Sequence, residues 1–230
     1  DKDIKNMSIQ KKIEDIKQEL PPSVVLIAVS KTHPAEAIME AYNGGQRDFG
    51  ENRPQELVAK YEALPRDIRW HMIGSLQTNK VKYIAPFVYL IHSVDSEKLL
   101  EVINKEGAKN NRIIDVLMEI HIADENTKHG WEPDELSAYM KSEKWLALPY
   151  IRIRGVMGMA TFTDDREQVH NEFRNLKRLF GKIKQDNPKT GDIFDTISMG
   201  MSGDYPIAIE EGSTMVRIGS AIFGAREYKK

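Results

Sequence analysis

The sequence predicts an α/β protein that folds as a single (β/α)8 TIM barrel over residues 1–230, with an extra helix at the N-terminus. Apolar runs of strand length recur along the chain. Helical patterns separate these runs, which indicates β-α-β units of a parallel sheet. The length of 230 residues is close to the ~250 residues usual for such a barrel. An open doubly wound sheet is the competing architecture, but it usually has fewer strands at this length.

Eight strands are predicted. In chain order they are residues 24–30, 47–52, 69–75, 89–95, 114–122, 151–160, 195–201 and 215–224. The first strand is β-branched on both faces, as is typical of a parallel strand buried on both sides. It runs into Ser30 and Lys31, and Pro34 then opens a helix over residues 35–42.

Helices are predicted before and between the strands. A charged amphipathic helix is expected in residues 1–20, and a short helix in residues 207–211. The clearest helical pattern covers residues 165–184. Its apolar face consists of Val169, Phe173, Leu176, Phe180 and Ile183. Asp165 at its start and Lys184 at its end match the helix dipole.

Two capping signals accompany these helices. Asn187-Pro188 is expected to end the long helix. In the segment after the second strand, Asn52 is expected as the N-cap of a helix that has Pro54 in its first turn.

The composition excludes several classes of protein. The net charge of −2 gives no bias toward nucleic acid or anionic membranes. There are no cysteines, which excludes disulfides and thiolate zinc sites. No apolar run approaches the ~20 residues of a membrane helix, and no signal peptide is visible. We therefore expect a cytoplasmic protein that binds neither nucleic acid nor membrane and holds no metal.

The candidate site lies at the carboxyl ends of the strands, where the active sites of such barrels are found. Several polar residues and glycines fall there. They are Lys31, Glu51, Asn52, His71, Gly74, Ser75, His121, residues 157–161, residues 198–202, Arg217, Gly219 and Ser220. Lys31 has an ordinary explanation, because a lysine at a strand end can keep its ammonium group in water while its stem packs.

The last two strands favour phosphate binding. Gly200 and Gly203 loosen the loop after strand seven, and Ser202 adds a hydroxyl. Gly219 and Ser220 offer backbone N–H groups after strand eight. These two loops form the usual phosphate site of the barrel, although Gly-Ser loops also occur simply as turns.

A lysine and a phosphate site on the same rim suit a ligand that carries both a carbonyl group and a phosphate. Burial would lower the pKa of the lysine and free its amine for Schiff-base formation. At this point both a Schiff-base aldolase and a pyridoxal phosphate protein fit the pattern.

Seven segments carry a resemblance to a known family. They are AVSKTHP (28–34), DFGENRPQEL (48–57), WHMIGSLQTNK (70–80), IHSVDS (91–96), GVMGMAT (155–161), SMGMSGDY (198–205) and VRIGSAIFGARE (216–227). Together they resemble the pyridoxal phosphate homeostasis protein family. That family shares its fold with the N-terminal barrel of alanine racemase and of eukaryotic-type ornithine decarboxylases.

The resemblance implies a cofactor and the residues that hold it. It implies that Lys31 carries pyridoxal 5′-phosphate (PLP) as an internal aldimine. It implies that the phosphate is held around Ser198, Met199, Ser202, Gly219 and Ser220. Arg217 is expected to face the pyridine nitrogen, and Asn52 and His71 to line the pocket. From its strand context alone, His71 is more typical of a packed core residue.

The resemblance also implies a role in vitamin B6 and amino-acid homeostasis, as a monomeric carrier or regulator without established turnover. PLP-dependent apoenzymes are then expected as partners. The alternative is a PLP-dependent amino-acid racemase. Racemisation needs an acid or base on each face of the substrate, and alanine racemase takes one of them from a C-terminal domain that we expect this chain to lack. Tyr42, Tyr61 and Tyr205 are the candidates to replace it.

Overall fold

The computed structural model describes residues 7–126 and 129–225, and these residues form a closed barrel of parallel strands. The strands, β1 to β8, are Val25–Val29, Asp48–Glu51, Arg69–Met72, Leu90–Val94, Ile114–Glu119, Ile151–Met157, Thr196–Ser198 and Met215–Ile218. The barrel closes because β1 pairs with both β2 and β8. The predicted α/β barrel is therefore confirmed.

Helices follow the strands and cover the outside of the barrel. The α-helices, α1 to α9, are Ile9–Glu19, Ala35–Asn43, Pro54–Ala63, Val81–Ile84, Glu97–Lys109, Pro133–Lys141, Arg166–Asp186, Tyr205–Glu210 and Ser220–Phe223. Short 3-10 helices occupy Thr78–Lys80, Lys144–Ala147 and Pro188–Thr190. The extra N-terminal helix is confirmed as α1, while residues 1–6 of the predicted segment lie outside the described residues. Residues 226–230, which include the end of the last motif, also lie outside them.

The long helix α7 shows how local sequence sets the boundaries of an element. The Asp165 side chain caps its start by accepting a hydrogen bond from the Gln168 N–H, and Asn187 caps its end. The apolar residues predicted for its face are buried against the sheet. Helix α3 differs from the prediction: Arg53 occupies the N-cap position, and no side chain caps the helix. Asn52 lies one residue further out, and Pro54 at the first helical position needs no acceptor for an N–H.

All eight strands are shorter than predicted, and β7 and β8 are shortened the most. The apolar run of residues 215–224 was expected to be all strand, but it ends as β8 at Ile218 and continues as the short helix α9. Strand β7 likewise ends at Ser198. Short apolar runs do not distinguish a buried strand from a buried helix. In both places a glycine, Gly200 or Gly219, lies at the turn from strand to loop.

The apolar core has two layers. The large layer lies between the strands and the helices. A small cluster inside the barrel consists of Ile27, Leu90, Leu117, Met157 and Met215. Because these residues point inward, the side chains two positions along each strand point inward as well. This alternation decides which polar groups enter the interior of the barrel.

Candidate functional site

Lys31 lies on the rim at the carboxyl end of β1. Ile27 faces the interior, so alternation carries the inward face through Val29 to Lys31. Lys31 is half-buried. It sits in a turn closed by the His33 N–H, which donates to the Ser30 carbonyl at 3.0 Å. Thr32 in that turn has φ 67°, the left-handed region that β-branched residues rarely adopt.

The loops after β7 and β8 meet beside this turn. The Ala221 N–H donates to the Ser202 hydroxyl at 3.4 Å, which joins the two loops. A side chain at Gly219 would lie 3.2 Å from the Val29 carbonyl oxygen, so the loop passes close to β1. The first N–H groups of α9, which begins at Ser220, have no acceptor within that helix. Ser202, Gly219 and Ser220 are thus brought together on the rim next to Lys31.

Arg217 projects from β8 into the barrel. It is 4% exposed, and its guanidinium donates to the Ser198 hydroxyl and, at 3.2 Å, to the Gly158 carbonyl. Burial lowers the pKa of Arg217 to about 10, and the carboxylates of Glu119 and Asp204 act against this shift. The guanidinium therefore stays protonated at neutral pH.

A chain of hydrogen bonds continues from Ser198 through the interior. The Ser198 hydroxyl lies 2.9 Å from His92 Nδ1, and His92 Nε2 lies 2.8 Å from His71 Nδ1. His71 Nε2 lies 2.9 Å from Asp48 Oδ1. Arg69 holds the same carboxylate with two further bonds, at 2.9 and 2.8 Å. We call Asp48, His71, His92, Ser198 and Arg217 the interior relay.

The two ends of the relay fix the direction of every bond in it. The pKa of Asp48 is lowered to about 2, because hydrogen bonds from His71 and Arg69 outweigh the opposing effect of burial, so this carboxylate only accepts. It takes the Nε2–H of His71, which leaves His71 Nδ1 as an acceptor for the Nε2–H of His92. His92 Nδ1 then accepts the Ser198 hydroxyl hydrogen, and the Ser198 oxygen accepts from Arg217. Burial lowers the pKa of both histidines, that of His92 strongly, so both rings are neutral.

Glu119 is a buried carboxyl group at the end of β5, on the same rim. Burial raises its pKa to about 7, with Asp95 adding to the shift and Arg217 opposing it. Burial also raises the pKa of Asp204, whose carboxylate accepts from the Met201 N–H at 2.7 Å. The surroundings of Arg217 therefore hold two acids with raised pKa values.

The other residues predicted for the site are His71, Met199 and Asn52, and their contacts differ from those of the rim residues. His71 is fully buried with both ring nitrogens engaged, so its connection to the rim runs through His92 and Ser198. Met199 is buried in the outer apolar layer; its N–H donates to the Met215 carbonyl, and its carbonyl accepts from Ser213. Asn52 is partly exposed beside Gly74, and its side chain makes no hydrogen bond with the described residues.

Sequence reasoning missed His92, Asp48 and Glu119 as part of this arrangement. The available signal was a polar side chain on the inward face of an apolar strand. His92 follows inward-facing Leu90 by two positions, and Glu119 follows Leu117 in the same way. Within residues 7–126 and 129–225, no group of three or more His, Cys, Asp or Glu side chains is arranged to hold a metal ion.

Comparisons with known proteins agree on one family. The family model described as alanine racemase, N-terminal domain, matches residues 4–227. The chain is 44% identical over 204 residues to the pyridoxal phosphate homeostasis protein of Aquifex aeolicus, a match that covers 88% of this chain and 87% of that protein. It is 41% identical over 226 residues to the protein of the same name from Haemophilus influenzae, which covers 96% and 94% of the two chains.

Solved structures are similar as well. PipY of Synechococcus elongatus without PLP superposes with a TM-score of 0.89 at 36% identity, covering 94% of this chain and all of that one. PipY with PLP bound gives a TM-score of 0.85 at the same identity and coverage. Alanine racemase from Bartonella henselae shares the fold at 17% identity, with a TM-score of 0.70. This chain spans 58% of that racemase.

The fold and the rim thus define a barrel of the alanine racemase N-terminal type. Within that class, the chain belongs to the pyridoxal phosphate homeostasis protein family.

Proposed function

We propose that this protein binds PLP through a Schiff base with Lys31 and acts in vitamin B6 and amino-acid homeostasis as a carrier or regulator. The observation that carries the proposal is the direct pairing of β1 with β8, with Ala28 opposite Ile218. This pairing brings Lys31 next to the loop of Gly219 and Ser220. The names of the relatives and the PLP bound to PipY support the same cofactor.

The residues present fit the cofactor. Gly219 lets its loop lie close against Val29 of β1, and the start of α9 and Ser202 supply donors for a phosphate. Lys31 Nζ would hold the aldehyde carbon of the cofactor as a Schiff base, with the aldehyde oxygen released as water. When bound, PLP supplies an electron sink for carbanions.

Arg217 favours a protein that binds the cofactor over one that uses it in catalysis. Its guanidinium only donates hydrogen bonds, and it stays protonated at neutral pH. Opposite a pyridine nitrogen it would leave that nitrogen without a proton, which weakens the electron sink. The positions of the tyrosines agree with this. The Tyr42 and Tyr205 hydroxyls bind Asp67 and Glu19 on the helical exterior, and the Tyr61 ring stacks on Phe87.

The second candidate function is the amino-acid racemase, and Glu119 is the observation that favours it. A racemase needs two groups that exchange protons near neutral pH, and Glu119 is a carboxyl group on the rim with a pKa of about 7. The two functions differ in Cα proton exchange. PLP-loaded protein incubated in D2O with several amino acids should incorporate no deuterium at Cα if it is a carrier. Incorporation that disappears in Glu119→Gln would favour the racemase.

The Schiff base is tested with Lys31→Ala. The visible absorbance band should disappear, and borohydride should no longer attach the cofactor to the chain. Lys82→Ala, which changes an exposed lysine on α4, should keep both signals. An undiminished band in Lys31→Ala would refute the assignment.

Ser202→Ala should keep the band but lose cofactor about ten- to a hundredfold more readily on dialysis, since one hydrogen bond to a charged group is removed.

Location and partners remain part of the proposal. We propose a cytoplasmic monomer that passes PLP to apoenzymes and binds neither nucleic acid nor membranes. Among the described helices, none combines the length and apolarity that crossing a bilayer needs. Sedimentation of the purified protein tests the monomer. Reactivation of a PLP-dependent apoenzyme by loaded protein, compared with free PLP, tests the transfer.

A further inference from the structure

A charged cluster lies just outside the barrel wall beneath the Lys31 turn. Glu51 ends β2, and Glu56 and Lys60 lie one turn apart on α3. We call these three residues the α3 cluster. Lys60 pairs with Glu51 and, at 3.0 Å, with Glu56. The Glu51 side chain is 0% exposed and that of Lys60 is 11% exposed, so this is a largely buried group of charges.

The α3 cluster binds the residue before Lys31 in two ways. Lys60 Nζ donates to the Ser30 carbonyl at 2.8 Å. The Ser30 hydroxyl donates to Glu51 Oε1 at 3.2 Å. The same Ser30 carbonyl accepts the His33 N–H that closes the turn. Ser30 is therefore fixed by both its backbone and its side chain.

The α3 cluster also binds the residue after Lys31. The Thr32 N–H donates to Glu56 Oε1 at 2.5 Å. Thr32 holds a left-handed conformation that is unfavourable for a β-branched residue, so outside contacts are needed to keep it there. The turn around Lys31 is thus held on both sides by one group of charges.

The arrangement is not the one that stability alone would favour. Glu51 Oε2 is buried without a hydrogen-bond partner among the described residues. Burying charges with an unsatisfied oxygen is costly, and apolar residues of similar size usually serve a core as well or better. Unsatisfied buried groups of this kind call for a specific explanation.

We propose that the α3 cluster positions Lys31 by fixing the turn on both of its sides, so that the Lys31 amine is held at the rim for reaction with an aldehyde. The inference rests on the proposed PLP function, which assigns the amine its reaction. The contacts of the α3 cluster with this turn are those to the Ser30 carbonyl, the Ser30 hydroxyl and the Thr32 N–H, so the cluster acts through the residues on either side of Lys31.

The test compares two ligands that differ only at the reacting group. PLP carries an aldehyde, whereas pyridoxine 5′-phosphate carries a hydroxymethyl group and cannot form a Schiff base. Dissociation constants for both are measured on apo-protein of the wild type, Lys60→Met, Glu56→Ala and Lys184→Met. Lys184 is the matched control, because its Nζ also donates to a backbone carbonyl, that of Phe194 at 3.0 Å, far from the rim.

The wild type should prefer PLP over pyridoxine 5′-phosphate. Lys60→Met should weaken PLP binding about tenfold and leave the hydroxymethyl ligand within about twofold, because only the placement of the amine changes. Glu56→Ala should act in the same direction, and since Glu56 is partly exposed it serves if Lys60→Met does not fold. Lys184→Met should keep the wild-type preference.

Three results would overturn the inference, and they are distinguishable. Unchanged dissociation constants for both ligands in both cluster variants would show that the turn places Lys31 without them. Equal weakening of both ligands would indicate a general structural role. A wild type without any preference for the aldehyde would refute the Schiff base itself, and the inference would fall with the proposed function.

Discussion

Arg217 and His92 meet at one atom, the hydroxyl oxygen of Ser198. Arg217 donates to this oxygen, and the same hydroxyl donates onward to His92 Nδ1 at 2.9 Å. The serine thus separates a permanent cation from a neutral imidazole and uses both its donor and its acceptor capacity. Through the hydrogen bonds of the interior relay, the orientation of Arg217 depends on residues at the other end of the barrel.

Ser198→Ala should lower the free energy of unfolding by about 1–3 kcal/mol, because it leaves His92 Nδ1 and one Arg217 N–H buried without a partner. Ser93→Ala is the matched control on the strand of His92. The Ser93 hydroxyl is buried and has no hydrogen-bond partner among the described residues, so its removal should be neutral or stabilising. Urea unfolding of the two variants measures the contrast. Equal effects would mean that the Ser198 link contributes nothing.

The neutral histidines should make the fold sensitive to acid. Burial lowers both folded pKa values below the ordinary value near 6.5, so the unfolded chain takes up these protons more readily than the folded protein as the pH falls below that value. The stability that these two residues contribute is then full above about pH 6.5 and is lost as the pH falls below it.

His92→Gln removes one of these two groups and should show a shallower decline of the unfolding free energy between pH 7.5 and 5.5. Imidazole resonances followed by NMR provide the direct check. Ordinary titration of His71 and His92 in the folded protein near pH 6.5 would contradict the assigned tautomers.

Glu51 should have the opposite effect on how the stability of the fold depends on pH. Burial raises its pKa to about 7, with Lys60 opposing the shift. Its contribution to stability is full below the unfolded value near 4.5 and is lost as the pH rises through about 7, since the folded state then has to ionise a buried carboxyl. Glu51→Gln cannot ionise. Between pH 5 and pH 8 the variant should therefore gain about 2 kcal/mol relative to wild type.

The informative quantity is the difference between the two proteins at each pH, because all other groups titrate in both. Urea unfolding at pH 5, 6, 7 and 8 supplies it. A constant difference across this range would show that the folded protein does not raise the pKa of Glu51.

Two glycines should respond to alanine in opposite ways. At Gly155 in β6, φ is 152° and a Cβ would lie 1.8 Å from the Thr196 carbonyl oxygen of the neighbouring strand, so Gly155→Ala should cost about 3 kcal/mol or more. At Gly181 inside α7 a Cβ meets nothing within 4 Å, and Gly181→Ala should add about 0.5–1 kcal/mol through helix propensity. Thermal unfolding of both variants checks the signs, and a destabilised Gly181→Ala would contradict the description of α7.

Much of the fold could be predicted because the signals are local. β-Branched apolar runs give the strands, and the period of Val169, Phe173 and Leu176 gives α7. The rim position of Lys31 followed from the rule that parallel strands end together. Helix α9 was missed because a short apolar run after Ile218 carries no periodicity that separates strand from helix.

The rim positions of the candidate site were predictable, whereas the hydrogen bonds that join His71, Ser198 and Arg217 in the interior were not. Lys31, Ser202, Gly219 and Ser220 follow strands and could be assigned from position alone. The interior relay depends on the register of five strands, for example His71 opposite Leu90, and single-sequence patterns do not give register. The α3 cluster was hidden for a further reason, since Glu56 and Lys60 look like an ordinary exposed helix pair until the helix is docked on β2.

The pairing of β1 with β8 has a consequence for biosynthesis. Lys31 emerges from the ribosome long before Gly219, and the Glu19 carboxylate precedes its partner Tyr205 by 186 residues. At about 5–20 residues per second, this separation corresponds to about 10–40 s of translation. During that interval β1 has an open edge, α1 lacks part of its docking surface, and the rim is incomplete. A site that needs both the first and the last strand is therefore complete only after β8 has been synthesised, which leaves an interval in which chaperones could shield the nascent half-barrel.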